Sequence, residues 1–296
     1  MRAVCPFCSD QAKKLFSTRD YNRNITKDEF IYCKCNSCGL VFVSSVPSNL
    51  GLYYPLDYYR FFPSLEQFEK NLSSEEYKLK LLRQFKSCGN LLEIGSVTGG
   101  FAYLAKKNGY SVQVMEMDQR CCEFISKTLG IPAIQSEDVQ NDLPKEKKFE
   151  IISLWHVIEH LPKPWEVLKG LVDRLEPEGI LILAAPNPEA FQFKCLNEFW
   201  AHVDAPRHLH LFPMAHLRDF MASLGCRVVF ETTQDAGSRH WNEFGWKYSI
   251  ANQIPGSFLK KCGRLLGKII HKLVTPFEMK EGKGSAYTLV FQRERV

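Results

Sequence analysis

Four cysteines near the N-terminus have the spacing of a tetrahedral metal site. Cys5 and Cys8 form one C-x-x-C pair, and Cys35 and Cys38 form another. Two such pairs supply four thiolates, the ligand set of structural Zn²⁺ sites, and four sulfurs leave no open position for catalysis. The spacer exceeds the commonest length but fits a hairpin, and Cys33 is a spare that could replace Cys35. We predict a structural zinc-ribbon-like module with Cys35 as the fourth ligand.

A glycine-rich turn and a later acidic residue mark a second candidate site. The apolar strand 91–94 runs directly into the turn 95–100, which opens a helix. Glycine permits a tight turn and a close approach to a ligand, and the helix N-terminus offers free N–H groups. The next strand ends at Glu116, the spacing at which an acidic residue meets a ribose in dinucleotide folds. We therefore expect Glu116 to accept hydrogen bonds from ribose hydroxyls, rather than merely to lead its strand into solvent.

The elements that must position these residues alternate between strand and helix patterns from residue 91 to residue 232. Such alternation predicts parallel βαβ units and a Rossmann-like, doubly wound α/β sheet, in which ligands bind beyond the carboxyl ends of the strands. Residues 285–292 alternate as a last strand, which we expect to be antiparallel. The predicted division of the chain is a zinc-ribbon-like module (1–45), an aromatic connector with helices (46–88), the ligand-binding α/β domain (89–235), and an amphipathic helix with the final strand (236–296).

Composition excludes several protein classes. The 296 residues carry a formal net charge of only +5, and the basic residues between the cysteine pairs are mixed with acidic ones. A nucleic-acid protein usually shows a clean basic stripe, so nucleic acid is an unexpected partner. No stretch approaches the roughly 20 apolar residues of a membrane helix, and the N-terminus lacks a secretory pattern. We expect a cytoplasmic protein.

Three segments, residues 91–110, 112–118 and 149–164, resemble the successive motifs of class I S-adenosylmethionine-dependent methyltransferases. The run ISLWHVIEHLP at 152–162 is especially similar to the branch that contains the ubiquinone-type O-methyltransferases and many sugar-pathway methyltransferases. The resemblance covers residues 91–232. It implies S-adenosylmethionine as cofactor and methyl transfer as the reaction.

The resemblance also implies roles in the first turn. Glu93 would lie near the methionine amino group, and Gly95, Ser96 and Gly99 would line the methionine and ribose. A carboxylate at Glu93 suits an ammonium better than the pyrophosphate of a nicotinamide cofactor. The family's middle glycine is Val97 here, whose side chain either narrows the loop or points away from the cofactor.

The resemblance assigns the adenosine end to the next two strands. Glu116 would hold the ribose hydroxyls, and Met117 would lie against adenine. Glu137 or Asp138, after the third strand, would reach the adenine amine, and the register leaves both open.

Catalytic candidates follow the fourth and fifth strands. Trp155 and His156 would border the sulfonium and the substrate. A hydroxyl acceptor needs a general base, for which histidine has a suitable pKa. We expect His208 to be that base, oriented by Asp204, with His156 as the second choice. Arg207 could bind a phosphate or carboxylate, or could only pair with Asp204.

The resulting hypothesis is a methyltransferase that acts on a small-molecule or glycan-related acceptor, with O-methylation expected. In the sugar-pathway relatives, similar zinc modules cover the substrate cleft, so we expect a structural or substrate-capping role for the module. Two alternatives stay open: a quinone-type O-methyltransferase, and a zinc-ribbon nucleic-acid-binding protein whose α/β domain senses the cofactor.

Residues 258–274 form a sharply amphipathic pattern, with apolar residues on one face and Lys and Arg on the other. We expect the apolar face to pack on the protein and the basic face to be solvated. The alternative is peripheral contact with an anionic membrane.

Overall fold

The N-terminal module forms a small antiparallel sheet in the computed structural model, which describes residues 2–295. Its strands are β1 Arg2–Val4, β2 Gln11–Thr18, β3 Phe30–Cys35 and β4 Val41–Val43. A fifth strand, His210–Leu211, comes from far along the chain and pairs antiparallel with β4. The module is thus joined by main-chain hydrogen bonds to the segment that carries the catalytic candidates.

The remaining elements alternate as predicted. The further strands are β5 Asn90–Ile94, β6 Ser111–Glu116, β7 Ala133–Gln135, β8 Phe149–Trp155, β9 Leu175–Pro186, β10 His210–Leu211, β11 Cys226–Thr232 and β12 Ala286–Arg293. The helices are α1 Leu65–Lys70, α2 Glu76–Leu82, α3 Gly100–Lys107, α4 Gln119–Thr128, α5 Val139–Asp142, α6 Pro164–Arg174, α7 Phe191–Leu196, α8 Met214–Ser223, α9 Ala236–Ala251 and α10 Ser257–Glu278.

Seven strands form the central sheet in the order β11-β12-β9-β8-β5-β6-β7. Strands β5 to β9 are parallel to one another, and β12 runs antiparallel between β9 and β11. The inner strands read as nearly continuous apolar runs because helices cover both of their faces. The predicted fold class, a mainly parallel α/β sheet with an antiparallel last strand, is confirmed.

Each face of the sheet has its own apolar core. One core includes Leu171 of α6 and Leu217 of α8. The other includes Leu82 of α2, Phe101 of α3 and Ile125 of α4. In the part of the chain from 2 to 295, no helix is both long and apolar enough to cross a bilayer.

The order in which the strands are added to the sheet reverses at β5, which pairs with β6 on one side and with β8 on the other. Such a reversal leaves a crevice at the carboxyl ends of the strands, where ligands of doubly wound folds bind. The turn after β5, Glu116 at the end of β6, and Trp155 at the end of β8 all lie there.

Candidate active site

The turn after β5 requires glycine at two positions. Gly95 and Gly99 have φ angles of 68° and 80°. A Cβ at Gly95 would lie 2.5 Å from the side chain of Val157, and one at Gly99 would lie 2.9 Å from that of Leu129. A side chain at either position would therefore be strained by the backbone and would collide with its neighbour.

Val97 leaves the crevice open. It adopts a left-handed conformation with φ 54°, which a β-branched residue rarely does. Its side chain is 40% exposed at the rim of a cavity of about 320 Å³. Its N–H donates to Glu116 Oε2 at 2.8 Å, so the unusual conformation is fixed by the carboxylate on the neighbouring strand.

Glu116 faces inward as a hydrogen-bond acceptor. Its side chain is buried, and Oε1 accepts from the N–H groups of Met117 and Asp118 at 2.8 and 3.1 Å. Burial raises the pKa of Glu116, and these N–H donors together with that of Val97 oppose the rise. Two carboxylate oxygens offer about four acceptor positions, so capacity remains for a ribose hydroxyl.

Glu93 gives the cavity an acidic wall. It is buried at the end of β5, and its Oε2 accepts from the Ser96 hydroxyl at 2.6 Å. Burial raises the pKa of Glu93 to about 7, and the positive charge of Lys78 opposes the rise. An ammonium ligand would compensate the buried carboxylate.

Trp155 and Lys78 line the same cavity. The Nε1–H of Trp155 is buried and has no hydrogen-bond partner within residues 2–295. Lys78 of α2 has its Nζ 5.1 Å from the centre of the Trp155 ring and 2.6 Å from a Glu75 oxygen. Glu93 suits an ammonium, and Trp155 and Lys78 suit a carboxylate. The three residues together match the two charged ends of an amino acid. The sequence analysis missed Lys78 because α2 had no motif that distinguished it from a connecting helix.

The residues expected near adenine lie outside this cavity. Met117 is exposed at the end of β6, as are Glu137 and Asp138 after β7. Asp138 caps α5 by accepting from Asn141 N at 3.3 Å. Ser136, which precedes Glu137, is buried, and its hydroxyl has no partner among the described residues. Ser136 was not predicted, because a lone serine beside two acids carries no signal in the sequence.

A second cavity of about 430 Å³ is lined in part by the turn after β8. Trp155 lines the first cavity, and the next residue, His156, lines the second. The lining comes from the N-terminal module, the aromatic connector, the turns after β8 and β9, and α9. The lining residues are Asn22, Arg23, Tyr58, His156, Glu159, His160, Pro186, Ala201, His202, Asp204, His208, Trp241, Phe244, Tyr248 and Asn252.

His208 has one ring nitrogen free to accept a proton. Its Nδ1 lies 2.8 Å from the carbonyl oxygen of His202, which only accepts, so Nδ1 carries the hydrogen in the neutral ring. Nε2 is then unprotonated and lies 4.0 Å from Asp204 Oδ2. Burial lowers the pKa of His208, although the charges of Asp204 and Glu159 oppose the fall. The carbonyl of His202, rather than Asp204 as expected, orients this imidazole.

His156 and Glu159 lie beside His208. Glu159 is fully buried, and neither carboxylate oxygen has a hydrogen-bond partner among residues 2–295. His156 Nδ1 lies 3.5 Å from Glu159 Oε1, and burial lowers the pKa of His156 to about 3. Glu159, His160 and His208 place one ligand-type atom each within 4.8 Å of one another. The sequence analysis assigned no role to Glu159 or His160.

A model of a methyltransferase domain matches residues 67–231, more than half of the chain. The chain belongs to this methyltransferase family. A comparison with curated protein sequences finds no match. The methyltransferase assignment fits the first cavity, whose acidic wall at Glu93 suits the ammonium of S-adenosylmethionine.

Solved structures share the fold of this methyltransferase. An S-adenosylmethionine-dependent methyltransferase from Archaeoglobus fulgidus is 19% identical, with a TM-score of 0.50 over 77% of this chain and 99% of its own. Coclaurine N-methyltransferase bound to S-adenosylhomocysteine is 14% identical, with a TM-score of 0.50 over 73% and 71%. The [4+2]-cyclase SpnF is 14% identical, with a TM-score of 0.51 over 75% and 81%. Because SpnF is a cyclase, its similarity shows that the fold alone does not determine the reaction.

Arg207 is a structural residue of the methyltransferase. Its guanidinium is fully buried and forms ion pairs with Asp20 at 2.6 Å and Asp204 at 2.8 Å. Burial alone would raise the pKa of Asp204, but the bonds and charge of Arg207 hold it well below its ordinary value. The two carboxylates occupy the guanidinium, so it is not available to bind a substrate phosphate. Arg23, at the edge of the second cavity, is the cation that such a group would meet.

We expect Arg207→Met to lower the free energy of unfolding by about 3–5 kcal/mol, because it leaves two buried carboxylates without their cation. Arg19→Met is the matched control. Arg19 pairs with Glu29 at 2.7 Å, but both side chains are more than half exposed, so the loss should be far smaller than that of Arg207→Met. Urea unfolding measures both variants, and equal losses would contradict the structural role of Arg207.

The four predicted metal ligands converge in the N-terminal module. Cys5 Sγ lies 3.7 Å from Cys38 Sγ, and Cys8 Sγ lies 3.5 Å from Cys35 Sγ. Tetrahedral Zn²⁺ with bonds of about 2.3 Å separates its sulfurs by roughly 3.8 Å, so the thiols have the spacing of a zinc site. Cys33, the spare, is buried in the module core and lies outside this cluster.

Proposed function

We propose that this methyltransferase transfers a methyl group to a hydroxyl of a small-molecule or glycan-related acceptor held in the second cavity. One observation carries the proposal. Two consecutive residues at the end of β8, Trp155 and His156, line the cavity that suits S-adenosylmethionine and the cavity that contains a free imidazole nitrogen, respectively. A donor and an acceptor in these cavities would face each other across the end of β8.

Residues of the first cavity, together with Glu116 at the end of β6, would hold the cofactor by its polar groups. Glu93 would receive the ammonium, Trp155 Nε1 and Lys78 the carboxylate, and Glu116 the ribose hydroxyls. When bound, S-adenosylmethionine supplies a methyl group on a positively charged sulfur and leaves as S-adenosylhomocysteine. The protein chiefly supplies alignment for such a displacement.

His208 would take the proton of the acceptor hydroxyl on Nε2 as the oxygen bonds to the methyl carbon. Asp204, 4.0 Å from that nitrogen, would then stabilise the imidazolium by its charge. The hydrogen bond to His202 keeps the ring in the tautomer that can accept. His156 lies nearer to the first cavity, but its strongly lowered pKa makes it a weak base.

The lining of the second cavity supports an acceptor that is both polar and ring-shaped. Trp241, Phe244 and Tyr248 of α9 provide aromatic surface, while Asn22 and Arg23 provide polar groups from the N-terminal module. A few polar groups among aromatic side chains are typical of small-molecule sites. A sugar fits this combination.

We also propose that the four cysteines bind Zn²⁺ and that its role is structural. Burial raises the pKa of Cys5 and Cys38, whereas the N–H groups of Cys38 and Ser37 lower the pKa of Cys35 to about 7 although burial opposes the fall. The charge of a bound Zn²⁺ would favour the thiolate form of all four cysteines. Because the module contributes Asn22 and Arg23 to the second cavity, the metal would support the acceptor site from a distance.

We expect His208→Ala to reduce turnover by roughly 10²- to 10⁴-fold, the usual contribution of a general base, and to leave cofactor affinity unchanged. In the unmodified enzyme, burial lowers the pKa of His208, which favours the neutral ring that acts as the base. The rate should therefore fall only in more acidic solution, as pH drops through that lowered pKa. The measurement is methyl incorporation from labelled S-adenosylmethionine into a panel of sugar and phenol acceptors.

His208→Asn serves as a second variant, because its amide can still donate to the His202 carbonyl. His240→Ala is the control, since His240 is exposed on α9. Turnover that survives in both His208 variants would exclude His208 as the base. Loss of cofactor affinity in the same variants would instead indicate a structural role.

A further inference from the structure

Helix α10 exposes the apolar face that the sequence analysis expected to be packed. Seven large apolar side chains of this helix are between 49% and 74% exposed: Phe258, Leu259, Leu265, Leu266, Ile269, Leu273 and Phe277. They project from one side of the helix at the spacing i, i+3, i+4, i+7. Large contiguous apolar patches on a protein surface mark sites of association.

A different face of α10 packs on the protein. The helix lies against α9, and the buried residues of its contact include Gly263 and Gly267. A Cβ at Gly267 would lie 2.6 Å from the Cα of Lys247, and one at Gly263 would lie 3.1 Å from the Cα of Ala251. The two glycines let the helix backbones approach closely, so the apolar face is left unpartnered.

Basic side chains border the apolar face. Residues 257–277 contain no Asp or Glu and include Lys260, Lys261, Arg264, Lys268 and Lys272. None of these five forms a salt bridge within the described chain 2–295. At 100° per residue, Lys261, Lys268 and Lys272 lie next to the row that contains Phe258 and Leu265.

We propose that α10 docks in the interface of an anionic lipid bilayer. An exposed apolar face bordered by Lys and Arg is the pattern of a helix that lies parallel to a membrane surface, with its apolar side chains among the acyl chains. Charge selects this occupant over a second copy of the chain, because two such helices would bring their uncompensated cations together. The proposal depends only on α10 and is independent of the methyl acceptor.

Co-sedimentation of the full chain with vesicles tests the proposal. We expect binding to vesicles of phosphatidylcholine with 30% phosphatidylglycerol at low salt, weaker binding at about 0.5 M NaCl, and little binding to phosphatidylcholine alone. A Lys near an anionic surface contributes roughly fivefold in affinity, so Lys261, Lys268 and Lys272 changed together to Gln should weaken binding on the order of 100-fold. Leu265→Asp with Leu273→Asp should abolish it.

Three exposed lysines elsewhere, Lys27, Lys145 and Lys169, changed together to Gln are the matched control. Thermal unfolding checks that all variants fold, and the changed residues are exposed in every case. Absence of binding to the anionic vesicles would overturn the proposal, as would equal weakening by the control triple. A dimer in solution that the Leu265 and Leu273 changes dissociate would overturn it in favour of self-association.

Discussion

Glu116→Gln should weaken the binding of S-adenosylhomocysteine by roughly 10- to 150-fold, because a hydrogen bond to a charged group contributes about 1.5–3 kcal/mol. The carboxylate is buried at the end of β6 and accepts from three backbone N–H groups, one of which is that of Val97. An amide of the same shape presents two donors in place of one accepting oxygen. The amide therefore weakens both interactions of the carboxylate: the hydrogen bond from the N–H of Val97 that fixes the turn, and the proposed contact with the ribose hydroxyls. Isothermal titration calorimetry measures the change.

A ribose contact can be separated from a purely structural role. The unmodified protein should bind S-adenosylhomocysteine more tightly than its 2′-deoxy analogue, and Glu116→Gln should largely lose this preference. Glu123→Gln, on the exposed surface of the following helix α4, is the control and should bind as the unmodified protein does. If Glu116→Gln weakens both ligands by the same factor, the carboxylate supports the turn and does not contact the ribose.

Cys38→Ser should release the Zn²⁺ proposed for the N-terminal module and abolish turnover, while the cofactor still binds. Structural zinc contributes about 10–16 kcal/mol to the folding of small zinc modules, so the module should not fold without it. Several contacts join it to the segment that carries the proposed base. Tyr32 donates to the carbonyl of His208 at 2.7 Å, Arg207 reaches Asp20, and β4 pairs with β10.

The measurements for this variant are metal content by atomic emission, methyl transfer, and calorimetry with S-adenosylhomocysteine. Cys88→Ser is the control, because Cys88 is exposed and lies outside the cluster. Full turnover in a metal-free Cys38→Ser protein would contradict the supporting role of the module. Lost cofactor binding in that protein would show that the module also holds the first cavity together.

The turn of the proposed cofactor site could be predicted because its residues are contiguous in the sequence. The turn 95–100 follows its strand directly, and glycine is required by the backbone conformation of that turn, so the motif can be read without knowledge of distant contacts. Glu116 and Trp155 end the two strands that adjoin β5, and the order of a doubly wound sheet brings strand ends together. The cysteine cluster was equally local, since each pair spans one turn.

The acceptor half depends on contacts between distant segments. Asp20 and Arg207 are 187 positions apart, and a charged pair in the sequence does not reveal whether it will be buried. Helix α9 was not predicted, although Trp241, Phe244 and Tyr248 have helical spacing and Asp235 caps the helix. These aromatic side chains line the second cavity instead of joining a core. Nothing in the sequence distinguishes an aromatic residue that lines a cavity from one that packs in a core.

The amphipathic helix shows a different limit. Its pattern was visible in the sequence, but the face that packs was not the apolar one. Glycines allow two helix backbones to come close, and Gly263 and Gly267 do so against α9. A pattern of hydrophobicity alone does not show that a helix can pack through its glycines instead of its large apolar side chains.

A crystal structure of the protein with S-adenosylhomocysteine tests the central claim most directly. We predict that the amino-acid end lies between Glu93 and Trp155 Nε1, that the ribose hydroxyls lie within hydrogen-bond distance of Glu116, and that the sulfur faces His156. A ligand bound elsewhere, or a crevice closed by the side chain of Val97 at saturating ligand, would contradict the account.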